Sequence, residues 1–354
     1  RRGALAPRYE AAAERTTEIP AARHDLLPTG YAFGAIQTTR GCPLNCSFCS
    51  VTPFNGARYR HRPIADVVEE FRTIHEKYVL VVDDNLIGTS AIHVARAKTL
   101  FRAMIAARLP HKWIAQVTVN MGDDDELLSL AAKAGCVGTF IGFESQTAEG
   151  LAEIGKKFNI VKGRDLGASV RRIQQHGILV VGSFIIGLDN DERGIGRRIA
   201  DAARHYGVDM LNTLFLTPLP GTRLWDTMEA QGRISTEAFP QDWQYYTLTF
   251  PVAEYKHLSR REICQEMECC DRTFYSPWRM LRRLWRSVRH WHHPFISLVG
   301  NLSYRAGLSS NRKAYRAFIA TRDEKCNVAT HPDGQSISLP IAGFVGQPDA
   351  AGLE

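Results

Sequence analysis

The chain has 354 residues, 44% of them apolar and 23% charged, with a formal net charge of +7. That length allows one large domain or a barrel with an appendage, and no stretch approaches the roughly 20 apolar residues of a membrane-crossing helix. No secretory leader is visible, and eight cysteines in a chain this long do not make a disulfide framework.

Residues 1–30 are polar, contain Ala and Pro, and lack periodicity, so they read as a linker. A start at Arg1-Arg2 rather than Met fits a piece of a longer protein with a domain upstream. From residue 31 short apolar runs alternate with amphipathic stretches. Strands are predicted at 35–39, 79–83, 114–119, 137–143, 179–186 and 210–216, and helices near 64–77, 90–107, 124–134, 164–176 and 192–206. Such alternation calls for a parallel sheet, and these units fit an α/β, partial (β/α)6 barrel over 31–223. Residues 224–322 read as a mainly helical, basic and aromatic extension, and 323–354 as a flexible tail.

The first predicted strand runs into Arg40-Gly41-Cys42-Pro43-Leu44-Asn45-Cys46-Ser47-Phe48-Cys49. Three thiols at spacing C-x3-C-x2-C are one short of the four that a structural zinc or a fully ligated four-iron cluster requires. No fourth Cys or His lies at metal spacing nearby. The economical reading is a [4Fe–4S] cluster with one iron left for a small molecule; the alternative is three buried or zinc-bound cysteines. The strand before the first cysteine and Phe48 before the last complete a pattern that resembles the radical S-adenosylmethionine (SAM) superfamily. The resemblance implies that SAM chelates the open iron and is cleaved reductively to a 5′-deoxyadenosyl radical, which abstracts hydrogen from a substrate. It also implies a partial barrel and a reductant protein of the flavodoxin or ferredoxin type. A labile cluster belongs in a reducing cytoplasm.

In βα barrels reactive residues gather at the C-terminal ends of strands, and the remaining motifs fall there. Asp83-Asp84-Asn85 follows the second strand, where many superfamily members hold the SAM amino group; a carboxylate suits an ammonium donor, and a strand-end turn is the plain alternative. Glu144, ending the fourth strand, matches the family acid near the SAM ribose and methionine moiety. Gly182 to Gly187 in the fifth strand resembles the segment that runs along the adenine, where glycine permits close approach. Pro218-Leu219-Pro220-Gly221-Thr222 resembles a strand-six loop. The resemblance thus marks Cys42, Cys46 and Cys49 as metal ligands, and Phe48, Asp83, Asp84, Asn85, Glu144, Gly182 and Gly187 as cofactor-binding. No catalytic side chain is identified, because hydrogen abstraction needs no protein base. The alternating Arg58, Arg60 and Arg62, with Arg40, suit either a substrate anion or a solvated strand edge.

Cys136 reads as a small buried hydrophobe, and Cys264, Cys269 and Cys270 fit no common ligand spacing. Trp243, Tyr245, Tyr246 and Phe250 form an aromatic group that either caps the barrel mouth or seals a core. Residues 272–320 carry ten Lys and Arg and no Asp or Glu, which speaks to a partner surface. Within them Leu281, Leu284, Trp285, Val288 and Trp291 or His292 recur at helical spacing among Arg282, Arg283, Arg286, Arg289 and His290. That pattern is a peripheral membrane element or a helix on the barrel with its cations in solvent. RNA binding is disfavoured because no RNA-binding module accompanies the charge.

The Asp-Asp-Asn motif, the strand-six loop and the basic aromatic C-terminus resemble, within the superfamily, the cobalamin-binding-domain-associated enzymes that act on hopanoids, other lipids or tetrapyrroles. Their N-terminal cobalamin domain and its histidine motif are not found in this sequence, so cobalamin enters only through an upstream domain. The expectation is a radical SAM enzyme acting on a C–H bond of a hydrophobic or lipid substrate. Methylation is the outcome if cobalamin is present; rearrangement, coupling or cyclisation follows without it. The alternatives are an RNA-modifying or methylthiotransferase-type radical SAM enzyme and a non-catalytic iron–sulfur protein.

Overall fold

A computed structural model describes residues 19–328 except 29, 235–240 and 290–292, with no side chains described at 162 and 322–328. Residues 1–18 of the predicted linker, 329–354 of the tail, and Trp291, His292, His290 and the Cys326 thiol therefore lie outside the described set. The chain runs β1 (Gly34–Ile36), β2 (Thr39–Arg40), α1 (Val51–Asn55), β3 (Arg60–His61), α2 (Ile64–Thr73), β4 (Tyr78–Val81) and α3 (Ala91–Ala106). It continues through β5 (Lys112–Val117), α4 (Asp125–Lys133), β6 (Cys136–Glu144), α5 (Ala148–Glu153), α6 (Leu166–Gln175), β7 (Leu179–Ile186), α7 (Ile195–Tyr206) and β8 (Met210–Phe215). Helices α8 (Arg223–Ala230), α9 (Arg260–Phe274), α10 (Pro277–Arg289) and α11 (Pro294–Val328) follow.

Six strands pair in the order β1-β4-β5-β6-β7-β8, every pair parallel. Consecutive parallel strands joined through helices wind in one sense and put the helices on one face. Val67 and Phe71 of α2, Leu100 and Phe101 of α3, Leu127 of α4, Ile173 of α6 and Ile199 of α7 share one buried core with Val79, Trp113, Ile141, Phe184 and Phe215 of the sheet. Helix starts are set locally: Ser90, Asp124, Thr147, Asp165 and Thr222 each accept a hydrogen bond from a first-turn N–H.

On the opposite, inner face of the sheet, α11 covers the end where the strands begin. Ile296 and Tyr304 of α11 pack on Leu179, Val181, Met210 and Phe140 near the N-terminal ends of the strands. Toward the C-terminal ends, Leu80, Ile114, Gly142, Ser183, Asn212 and Leu214 are half-buried and Val82 and Gln116 exposed. That part of the inner face is accessible, while the strand starts are covered by α11.

The strand expected at 35–39 ends at Ile36, and Thr39–Arg40 pair antiparallel with β3 instead. The intervening Thr38 spends its N–H and hydroxyl on Asp83, at 2.5 and 2.6 Å, rather than on a strand neighbour. At the other edge of the sheet β8 pairs with β7 and has no strand beyond it among the described residues, and an open edge invites aberrant pairing. Buried Tyr275 closes it: its hydroxyl accepts from Leu211 N–H at 2.9 Å and donates to Leu211 C=O at 2.7 Å. The Phe215 N–H goes to Leu248 O.

The aromatic group after β8 is a seal. Trp243, Tyr245 and Phe250 pack with Tyr246, Val252, Trp225 of α8 and Phe318 of α11. Cys136 is buried as expected. Cys264 and Cys270 are buried in α9, Cys269 is exposed, and burial pushes the Cys264 thiol up to about 12. Tyr275→Phe is expected to strand the Leu211 N–H and C=O and to cost about 1–3 kcal/mol, read as a lower denaturant midpoint with an unchanged slope.

Candidate active site

The cysteine loop leaves β2 at the C-terminal rim and is held from both sides of the sheet. On the β4 side, Asp84 Oδ2 accepts from Gly41 N–H at 2.7 Å and from Asn55 Nδ2 at 3.1 Å. Arg60 donates to Asn55 O at 2.6 Å. Arg96 reaches Thr38 O and Arg62 O, at 3.3 and 3.2 Å. On the far side, Ser47 N–H donates to Ile154 O at 3.0 Å, Leu224 N–H donates to Ser47 O at 2.9 Å, and Arg223 binds Asn45 O. Phe48 packs with Ile154, Ile185, Leu188 and Leu216, so its ring anchors the loop over the ends of β7 and β8. Gly41, at φ +87°, is required because a Cβ there would collide with the Arg58 carbonyl.

Cys46 is buried, and Cys42 and Cys49 are half-buried. Burial raises all three thiol pKa values, Cys46 to about 11, and Cys46 feels both of the other sulfurs. Lys156 pulls all three back down. This lysine is itself buried, and burial disfavours its charge; Glu144 and the thiols of Cys46 and Cys49 outweigh that and hold its pKa above the usual value. Its Nζ lies 2.5 Å from Glu144 Oε1.

Glu144 reaches Lys156 through a bulge. The register between β6 and β7 slips between Gly142 and Glu144, and Glu144 adopts φ +63°. Buried Asn159 supports the distortion, donating its Nδ2 to Gly142 O and Phe143 O, each at 3.0 Å. The ion pair lies across Gly142, where a Cβ would collide with both charged groups. Left-handed backbone at a non-glycine residue concentrates at functional sites.

The structure separates the roles of the Asp-Asp-Asn motif. Fully buried Asp83 holds Thr38, Asp84 holds Gly41, and Asn85 lies against Cys42, its Nδ2 3.3 Å from Thr118 Oγ1 and its buried Oδ1 unpartnered among the described residues. Gly182 faces the helix layer, its Cβ position taken by Val208 and the Phe143 ring, and the Gly187 position lies under the Tyr255 ring. Packing accounts for both glycines. Of the arginines after the cysteines, Arg58 is exposed and Arg60 and Arg62 are tethers: Arg62 forms a buried pair with Glu70 at 2.6 Å, which His24 joins at 3.2 Å. Lys156 and Asn159 carried no sequence signal; only the fold brings them to the cysteine loop. Among the described residues no group of three or more His, Cys, Asp or Glu stands close enough to hold a single metal ion.

The loop after β7 titrates. Asp191 accepts from Gly187 and Leu188 N–H at 2.8 and 2.9 Å, yet burial pushes its carboxyl from 3.8 up to about 6. The folded protein keeps this proton where the unfolded chain has lost it, so stability from this group falls as pH rises from about 4 to about 6 and stays lost above. Asp191→Asn is expected to flatten that slope and to add up to about 3 kcal/mol at neutral pH, read as thermal midpoints across pH. Gly41→Ala is expected to cost about 2 kcal/mol and to lower iron incorporation, read by iron and sulfide content.

Residues 36–195 match the Radical SAM superfamily. The chain is 29% identical over 290 residues to an uncharacterized methyltransferase of Pyrococcus horikoshii, covering 80% of this chain and 60% of that one. It is 26% identical over 262 residues to the bacteriochlorophyllide d C-12(1)-methyltransferase of Chlorobaculum tepidum, covering 72% and 54%. The cobalamin-dependent SAM radical enzyme OxsB superposes with a TM-score of 0.54 at 14% identity, over 81% of this chain and 49% of that one, a likeness of fold. The chain thus spans little more than half the length of these curated relatives. Over residues 36–195 this chain carries a radical SAM domain, whose family works with a [4Fe–4S] cluster and SAM, and the curated proteins it resembles include methyltransferases.

Proposed function

We propose that this domain is the catalytic part of a radical SAM methyltransferase acting on a C–H bond of a hydrophobic substrate, with cobalamin supplied by a segment outside the described residues. The observation that carries the reading is the cysteine loop bolted across the sheet rim beside a buried Glu144–Lys156 pair. The donor chemistry fits a four-iron cluster. Three thiols, one buried and two half-buried, lie on one tethered loop, one short of the four ligands of a fully ligated four-iron cluster. When bound, the cluster supplies the electron that cleaves SAM to the radical that takes the substrate hydrogen.

The chain's own residues hold and orient. Cys42, Cys46 and Cys49 are the proposed ligands, and Lys156 offsets the charge that three thiolates bring into a buried site. The unpartnered Asn85 Oδ1 beside Cys42 is available to a donor on SAM. Glu144, fixed by its bulge, is the acid for the polar end of SAM. Asp83 and Asp84 act through the loop as positioning residues, while Gly182, Gly187 and Phe48 shape the walls through packing. Leu80, Ile114 and Leu214 on the inner face supply apolar contact, and Gln116, Ser183 and Asn212 supply polar contacts. That mixture suits a largely apolar substrate carrying a few polar groups. A flavodoxin- or ferredoxin-type protein is the proposed reductant.

Anaerobically reconstituted protein is expected to make 5′-deoxyadenosine from SAM and dithionite, and Cys46→Ala to make none. Product from the variant would overturn the ligand assignment. Glu144→Ala is expected to weaken SAM binding about tenfold, equivalent to about 1.4 kcal/mol. Unchanged affinity in an anaerobic titration, with the cluster absorption intact, would remove Glu144 from the site.

A further inference from the structure

Helix α10 is inverted relative to an ordinary surface helix. Arg279, Arg283 and Arg286, at i, i+4 and i+7, face the protein. Arg279 binds Asp201 at 3.2 Å, Arg283 stacks over the Phe274 ring at 3.9 Å and binds Asn301 Oδ1 at 2.7 Å, and Arg286 donates to Gly207 O at 2.6 Å. The apolar stripe faces outward: Trp278 is 74% exposed, Leu281 57%, Trp285 62% and Val288 50%. Phe295, Val299 and Leu302 of α11, also exposed, extend it. A contiguous patch of this kind on a folded surface marks an interaction site.

Its surroundings point to the partner. Arg282 and Arg289 flank the stripe on the same helix, exposed and without an ion-pair partner among the described residues, and Arg289 lies over the Trp285 ring at 5.6 Å. With Arg204, Arg279, Arg286 and Trp278 they line a cleft of about 770 Å³ beside the stripe. Residues 272–320 hold ten cations and no carboxylate. Tryptophans projecting from an apolar face with exposed arginines at its rim match the anionic surface of a bilayer, where the rings lie at headgroup depth and the guanidinium groups meet phosphates.

We propose that α10 and the first turns of α11 dock this protein on an anionic phospholipid membrane, with the stripe entering the interface and Arg282 and Arg289 binding lipid phosphate. No helix among the described residues is long and apolar enough to cross a membrane, so the contact is peripheral. The patch adjoins Asp209 and Met210 at the N-terminal end of β8, the end of the sheet opposite the cysteine rim. The bilayer therefore holds the barrel by its base and leaves the rim turned away. This inference does not depend on the proposed reaction.

The test is co-sedimentation of the full reconstituted chain with phosphatidylcholine–phosphatidylglycerol vesicles and with pure phosphatidylcholine vesicles. Binding to the mixed vesicles and weaker binding to the neutral ones are expected. Trp285→Asp is expected to weaken partitioning about tenfold, and Arg282→Gln with Arg289→Gln to abolish the preference for the anionic lipid. Both variants alter exposed side chains, and unchanged cluster absorption confirms their fold. The proposal is overturned if wild-type protein stays in the supernatant with anionic vesicles, or if Trp285→Asp binds them as wild type does. It is also overturned if sedimentation velocity finds a dimer that Trp285→Asp dissociates, which would give the stripe to a second copy of the chain.

Discussion

The constraint on which the rest depends is the tethering of one short loop. Residues 41–49 carry three thiols and almost no regular structure of their own, so their position must be imposed from outside. On one side the imposition comes from carboxylates at the end of β4, whose acceptor oxygens replace strand pairing at Thr38 and fix Gly41. On the other it comes from main-chain bonds to Ile154 and Leu224 and from the Phe48 ring buried among Ile154, Ile185 and Leu188. The loop spans the rim between the first strand and the last ones, so the sheet's curvature and the positions of the thiols are fixed together. A site that needs sub-ångström placement is built on rigid elements in this way.

The second constraint is electrostatic. Burying an ammonium is costly unless it is paired, and Lys156 is buried beside the thiols of Cys46 and Cys49. Glu144 makes that burial tolerable. Its bulge, the left-handed backbone, Asn159 and the bare Gly142 all serve the same contact. Local irregularity in β6 is thus the cost of placing one carboxylate at the rim, and regular helix packing on the other face of the sheet offsets it.

The free edge and the open base of the sheet are managed from the C-terminal region. Tyr275 closes the backbone of β8, and α11 plugs the inner face where the strands begin. Holding α10 there uses its inward arginines against Asp201, the Gly207 carbonyl and the Phe274 ring, which leaves the apolar stripe outside. The same cations that attach the helix thereby define which of its faces meets solvent.

The repeating strand–helix order, the placement of motifs after strands and the thiol spacing were legible in the residues, because hydrophobic period and ligand spacing are local properties. The structure reproduces β7 at Leu179–Ile186 to the residue and the other sheet strands to within a few residues. Only tertiary structure decided what the motif residues touch. That Asp83 binds Thr38 and Asp84 binds Gly41, that Gly182 faces packed rings, and that Lys156 stands by the thiols are all contacts between distant segments, which no periodicity encodes. The amphipathicity of α10 was equally plain in the sequence. Its orientation was not, because a helix with one apolar and one cationic face can bury either, and carboxylates, carbonyls and a phenyl ring elsewhere in the chain settle which.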